Sequence, residues 1–281
     1  MKTIIFKDIA RHTAELCIKA NTELPGDVLS SLEASLRKEK NELARSILAT
    51  CIKNAEIAKE EKTALCQDTG FAVFFVEIGD NVRIAGGTLY EAINEGVAKG
   101  YADGYLRKSI VKDPLYDRIN TSDNTPAVIH IDLVPGDMLK ITLAPKGGGS
   151  ENMSALTMLK PSDGEQGVID FVVNTVVKAG ANPCPPSIVG VGIGGTVEKC
   201  ALLSKKALLR PVEEPNPDKR YARLEAKILK KINSSGIGPQ GLGGVTTALA
   251  VHVETFPCHI ASLPVAVNLN CHAARHVSVT L

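Results

Sequence analysis

The run Ser187-Ile188-Val189-Gly190-Val191-Gly192-Ile193-Gly194-Gly195-Thr196 decides which architecture the chain can adopt. Residues 187–193 read as a buried strand and residues 196–208 as a helix. Gly190, Gly192 and Gly195 satisfy the GxGxxG spacing. In a dinucleotide-binding fold such glycines bring backbone N–H groups against a phosphate. That fold also requires an acid about 20 residues further on, at the end of a second strand. The chain there runs into Leu209-Arg210-Pro211 and a charged, Pro-rich connection. A packed strand–turn–helix corner is the simpler reading, with nucleotide binding as its alternative.

Outward from this corner the hydrophobic period alternates between helix and strand. Residues 8–22 form a helical stripe of Ile9, Thr13, Leu16, Cys17 and Ala20. A helix-rich region over 27–61 follows, with Asp27 as its cap and Leu43, Ile47, Leu48, Cys51 and Ile52 on its buried face. Phe71–Ile78 and Val82–Ala85, divided by Gly79-Asp80-Asn81, read as a β-hairpin. Two more strands, Ala127–Leu133 and Met138–Ala144, flank the turn Pro135-Gly136-Asp137. Helices are expected at 89–100, 164–180 and 220–232, and a long polar surface loop at 107–126. No internal repeat and no linker is visible. The expected fold is α+β, with mixed helices and mainly antiparallel or mixed sheets, in one domain over 1–281.

Composition narrows the function. The 281 residues are 44% hydrophobic and 22% charged, with a net charge of +1. Such a chain buries a sizeable core and is not disordered. It has no basic excess to neutralise phosphates, and 4% aromatics with no Trp give few stacking platforms, so nucleic acid is not an expected partner. The first apolar run, Ile4-Ile5-Phe6, is too short for a signal peptide, and no stretch approaches the ~20 apolar residues of a membrane span. A cytoplasmic location is expected, where the seven cysteines stay reduced. Their odd number and the absence of CxxC argue against a disulfide framework.

The cysteines divide by context. Cys66 lies in Leu65-Cys66-Gln67-Asp68-Thr69-Gly70, Cys184 in Asn182-Pro183-Cys184-Pro185-Pro186, and Cys271 in Asn268-Leu269-Asn270-Cys271-His272. All three sit in polar or rigid backbone, whereas Cys17, Cys51 and Cys200 read as core. Cys258, in Phe256-Pro257-Cys258-His259, fits either group. The loop Lys146-Gly147-Gly148-Gly149-Ser150-Glu151-Asn152 is suited to gripping a carboxylate or phosphate, or is a flexible turn. His130 and His252 fall on polar faces of strands. His272 and His276 share i,i+4 spacing without the HExxH glutamate, and His259 is the best candidate for a functional histidine.

These loops, with Gly236–Gly244 and Leu263–Asn268, occur in an order that resembles the α subunit of class I fumarate hydratase and L(+)-tartrate dehydratase, the iron–sulfur hydro-lyases. The resemblance spans essentially the whole chain. It implies a [4Fe–4S] cluster held by Cys66, Cys184 and Cys271 alone, leaving one iron open as a Lewis acid. It implies Asp68 and His259 as catalytic acid/base residues, with Gln67, Arg107 and the Gly149 N–H binding a small dicarboxylate substrate. In the family's single-chain members a further C-terminal domain completes the site. Here that domain is expected as a separate β subunit in an α2β2 heteromer, the α chain being inactive or weak alone. The implied reaction is hydration of fumarate to L-malate, a tricarboxylic acid cycle step. L(+)-tartrate dehydration is the alternative, and a non-catalytic metal-binding scaffold subunit is the reading from a different class.

Overall fold

A computed structural model describes residues 1–281. In chain order its first half contains β1 (Lys2–Ile5), α1 (Phe6–Thr22), α2 (Gly26–Lys38), α3 (Glu42–Glu61), β2 (Phe71–Gly79), β3 (Val82–Ala85), α4 (Leu89–Asp103), β4 (Val128–Val134) and β5 (Leu139–Lys146). Then follow α5 (Gly148–Glu151), β6 (Ala155–Leu159), α6 (Gly164–Ala179), β7 (Ser187–Gly194), α7 (Val197–Ala207), α8 (Lys219–Asn233), β8 (Ala248–Phe256), β9 (Leu263–Asn270) and β10 (Val277–Thr280). The fold is mixed helix and strand with mixed sheets, as expected. The chain divides into two compact units: Met1–Leu24 with Ala55–Gly148 and Arg275–Leu281, and Pro25–Asn54 with Gly149–Ala274. Each is assembled from separate stretches, so no single linker marks the division in the sequence.

In the first unit a four-stranded sheet runs β10-β5-β2-β4, and β1 pairs in parallel with β3. The near-continuous apolar run of β2 makes it a central strand, covered on both faces. It pairs antiparallel with β5 and parallel with β4. The two strands expected around the 135–137 turn are β4 and β5, and β2 lies between them. One sequence expectation changes here: β2 and β3 are not a hairpin. The reason lies in the turn at 79–81. The Gly79 N–H donates to the Met138 carbonyl at 2.8 Å, that of Asp80 to Val134 at 2.9 Å and that of Asn81 to Gly136 at 2.9 Å. The turn is satisfied by residues 134–138, and β3 leaves to join β1.

The core of this unit unites Ile9, Leu16 and Cys17 of α1, Ile93, Val97 and Tyr101 of α4, and Phe74, Leu139, Ile141 and Leu143 of the sheet. The expected stripe of α1 is therefore the buried one. Thr88 and Glu91 form a capping box that starts α4.

In the second unit the sheet order is β6-β9-β7-β8, with β7 parallel to β8 and antiparallel to β9. Asp27 does not cap α2. The cap position is Pro25, and Asp27 Oδ2 instead accepts from the Val212 N–H at 2.9 Å. One face of β7, with Val189, Val191 and Ile193, packs against Val168, Val172 and Val176 of α6 and Leu224, Ile228 and Ile232 of α8. Its other face carries Gly190 and Gly192, whose place is explained by α7. A Cβ on Gly190 would stand 2.1 Å from the Ser204 carbonyl oxygen, and one on Gly192 2.1 Å from that of Cys200. The glycines let helix and strand backbones touch, so the spacing reflects packing and not a phosphate site.

Candidate active site

The predicted site residues fall into two groups, one in each unit. In the first, the loop Cys66–Gly70 joins α3 to β2. Its carbonyls are fastened from behind. Tyr101 Oη donates to the Thr69 carbonyl at 2.9 Å and to that of Gly70 at 3.1 Å. Asn124, fully buried, donates to the same Gly70 carbonyl at 3.1 Å. Arg275 Nη2 donates to the Asp68 carbonyl at 2.6 Å. Burial pushes the Tyr101 phenol well above its ordinary pKa, so it stays a donor.

With its backbone held, the loop presents Cys66, Gln67 and Asp68. The Asp68 carboxylate accepts from the Gly70 N–H at 3.0 Å through Oδ1 and from the Gly148 N–H at 2.7 Å through Oδ2. Two fixed donors therefore set its direction. The Cys66 thiol lies 3.3 Å from Gln67 Oε1. Thr69 Oγ1 donates to the Arg107 carbonyl at 2.7 Å, which ties Arg107 to this loop while its side chain stays exposed. Cys66, Gln67, Asp68 and Arg107 are thus brought together.

In the second unit Cys184 stands just before β7 in the left-handed backbone region, at φ +53°. Such a conformation is costly for a non-glycine residue and concentrates at functional sites. Cys271 directly follows β9, whose Asn270 lies opposite Ile188 of β7. The two cysteines therefore share one end of the sheet. The His272 N–H donates to the Cys184 carbonyl at 3.2 Å, and Gln240 Nε2 reaches the Pro185 carbonyl at 3.0 Å and His272 Nδ1 at 3.1 Å. No helix forms over 271–276, so His272 and His276 do not share a helical face. Gly149 is exposed in the short α5 turn, where its Cβ position would lie 3.4 Å from the Asn182 carbonyl oxygen, two residues before Cys184.

Two residues depart from the sequence reading. Cys51 is only half buried, and its thiol is pushed up to about 11 by burial and then by Cys271 and Cys184. It stands within the electrostatic reach of both. His259 lies in the connection from β8 to β9, at the end of the sheet where Phe256 pairs with Gly194. The eight residues of β9 separate it from Cys271, a span of roughly 25 Å at ~3.3 Å per residue. His259 rims a cavity of about 490 Å³ with Arg220, Tyr221 and Leu224, and neither Cys184 nor Cys271 lines it.

None of the seven cysteines is in a disulfide, and Cys66, Cys184 and Cys271 are each at least partly exposed in non-helical backbone. Soft, accessible thiolates are the donor set an iron–sulfur cluster takes. In this donor chemistry the residues fit such a group, although no three His, Cys, Asp or Glu side chains converge as a preformed metal-binding set. Sequence reasoning missed Tyr101, Asn124 and Arg275. Each acts on a loop backbone far away in sequence, and no local pattern marks that role.

A family model described as fumarate hydratase (Fumerase) matches residues 10–280. A Methanocaldococcus jannaschii protein named "Putative L(+)-tartrate dehydratase subunit alpha" is 44% identical over 271 residues, covering 95% of each chain. L(+)-tartrate dehydratase subunit alpha of Escherichia coli strain K12 is 34% identical over 271 residues, covering 95% of this chain and 87% of its own. The protein of that name from Shigella sonnei matches to the same extent, 34% over 271 residues. No helix is long and apolar enough to cross a membrane.

Proposed function

The chain belongs to the fumarate hydratase (Fumerase) family, and from that premise we propose that it is the α subunit of an iron–sulfur hydro-lyase acting on a four-carbon dicarboxylate. The observation that carries this reading is the fastening of the Cys66–Gly70 loop, which holds a free thiol and a doubly hydrogen-bonded carboxylate at fixed places. When bound, a [4Fe–4S] cluster on Cys66, Cys184 and Cys271 would supply a Lewis-acidic iron for the substrate's carboxylate and hydroxyl.

The chain's own residues do the rest. Asp68, its carboxylate set by the Gly70 and Gly148 N–H groups, exchanges the proton at the carbon next to the one bearing the hydroxyl. Gln67 offers a neighbouring amide for orientation. Arg107, exposed and anchored through its carbonyl, closes on a substrate carboxylate with a bidentate fork. Gly149 gives a backbone N–H unobstructed by a side chain. His259, proposed from the resemblance as a catalytic residue, is held by β9 far from Cys271 and is given no step here.

The relatives are named as α subunits, which supports a β subunit that completes the site, in an assembly such as α2β2. Their names make L-tartrate the first substrate to test, with fumarate and L-malate beside it. The test is anaerobic reconstitution with iron and sulfide, alone and with the co-expressed β partner. Turnover of L-tartrate or fumarate is expected only with the partner. Cys66→Ser, Cys184→Ser and Cys271→Ser should each abolish cluster absorption, while Cys51→Ser keeps it. Cluster retention in all three variants would overturn the ligand set, and full activity of the chain alone would overturn the split site.

A further inference from the structure

Arg275 lies four residues after Cys271 and is 3% exposed. Its single hydrogen bond runs from Nη2 to the Asp68 carbonyl, while Nε and Nη1 are buried with no partner in the protein. Leaving the donors of a buried guanidinium unmatched destabilises the fold. The Asp68 carboxylate accepts from the Gly70 and Gly148 N–H groups and makes no bond to these two guanidinium nitrogens. A cation held under such terms is more simply explained by what it does to the loop than by fold stability. Tyr101, which fastens the next two carbonyls of that loop, feels the charges of both Arg275 and Asp68.

We propose that Arg275 is a positioning residue for Asp68: by gripping the Asp68 carbonyl with a rigid planar group, it fixes the peptide from which the carboxylate is aimed. The structural part needs no cofactor, and the catalytic consequence rests on the proposed function. Arginine suits the task because its fork fixes direction, whereas a lysine in its place supplies the charge without the plane.

The test is hydrogen–deuterium exchange of the full chain in metal-free form, read on peptides covering 64–72. Arg275→Met should speed exchange at Gln67–Gly70 by about tenfold and Arg275→Lys by about threefold, with β7 and β9 unchanged. Unchanged loop exchange in Arg275→Met overturns the proposal. If that variant loses its cooperative thermal transition, Arg275→Lys decides: acceleration confined to the loop supports the proposal, and uniform acceleration across the first unit overturns it. In the loaded complex with the β partner, Arg275→Met should lower kcat by about a hundredfold with KM within about threefold, and Arg275→Lys should recover part of kcat. If loop exchange rises and kcat does not fall, Asp68's catalytic assignment fails while the hold of Arg275 on the loop stands.

Discussion

Replacing Asp68 by asparagine keeps the size of the side chain and removes its charge. In the native loop both carboxylate oxygens accept, from Gly70 N–H at 3.0 Å and Gly148 N–H at 2.7 Å. Asparagine offers one oxygen and one NH2, so whichever way the amide turns, one donor meets another donor. The loss is one charge-assisted hydrogen bond, about 1.5–3 kcal/mol when buried. Asp68 is partly exposed, and water reaching the freed N–H brings the net cost to about 1 kcal/mol. For a chain of this size that lowers Tm by about 2–4 °C. Loss of the proposed proton-transfer group should cost about 10²–10⁴-fold in kcat, or about 3–5 kcal/mol of barrier. The assay pairs anaerobic kcat of the reconstituted complex on L-tartrate and fumarate with a thermal melt of the same sample. A large fall in kcat with a small fall in Tm is expected. If kcat stays within about threefold of the parent, Asp68 does not move the proton.

Other expectations follow from the same geometry. Tyr101→Phe removes the donor to the Thr69 and Gly70 carbonyls and should cost about 1–3 kcal/mol in urea unfolding, with kcat falling alongside. Gly192→Ala sets a Cβ 2.1 Å from the Cys200 carbonyl oxygen. Overpacking of about 3 kcal/mol should lower its urea midpoint, and a midpoint equal to the parent's would refute the close contact. His252, buried on β8 with both ring nitrogens unpartnered, is held down to about 4 by burial and then by Arg210. It is neutral when folded and ordinary, near 6.5, when unfolded, so the unfolded state binds the extra proton between those values. Its stabilising share is whole above pH ~6.5 and is lost as pH falls toward ~4, by up to about 3 kcal/mol. Urea curves of the metal-free chain at pH 7 and 5 should show that loss, and His252→Leu should lack it.

Helices were readable because their signal is local. The stripe of α1 names the residues that are buried, and the helix expected over 89–100 is α4. Strand pairing was not readable, because it is decided by distant partners. The turn at 79–81 looks like a hairpin turn until residues 134–138 take its N–H groups. The Gly190–Gly195 spacing fits a phosphate loop and a close helix equally well, and only the Ser204 and Cys200 carbonyls distinguish them. His252 was read on a polar strand face and lies in the core, since α2 packs over β8. At the candidate site, the thiols announced themselves by lying in rigid or polar loops. The residues that aim the loop did not: a tyrosine on an amphipathic helix, and an arginine behind two alanines, look ordinary until their carbonyl partners are known.

The first unit has an unusual order of completion. Its sheet is edged by β10 at 277–280, which pairs with β5 at 140–143, and Leu281 and Leu139 exchange two further hydrogen bonds. A ribosome has made the other three strands of that sheet more than a hundred residues before it reaches this one. Until then β5 has an open edge and the Asp68 carbonyl lacks Arg275. The nascent first unit therefore waits for the whole second unit to be synthesised. The loop that carries Cys66 and Asp68 gains its last fastening only after translation has passed residue 275.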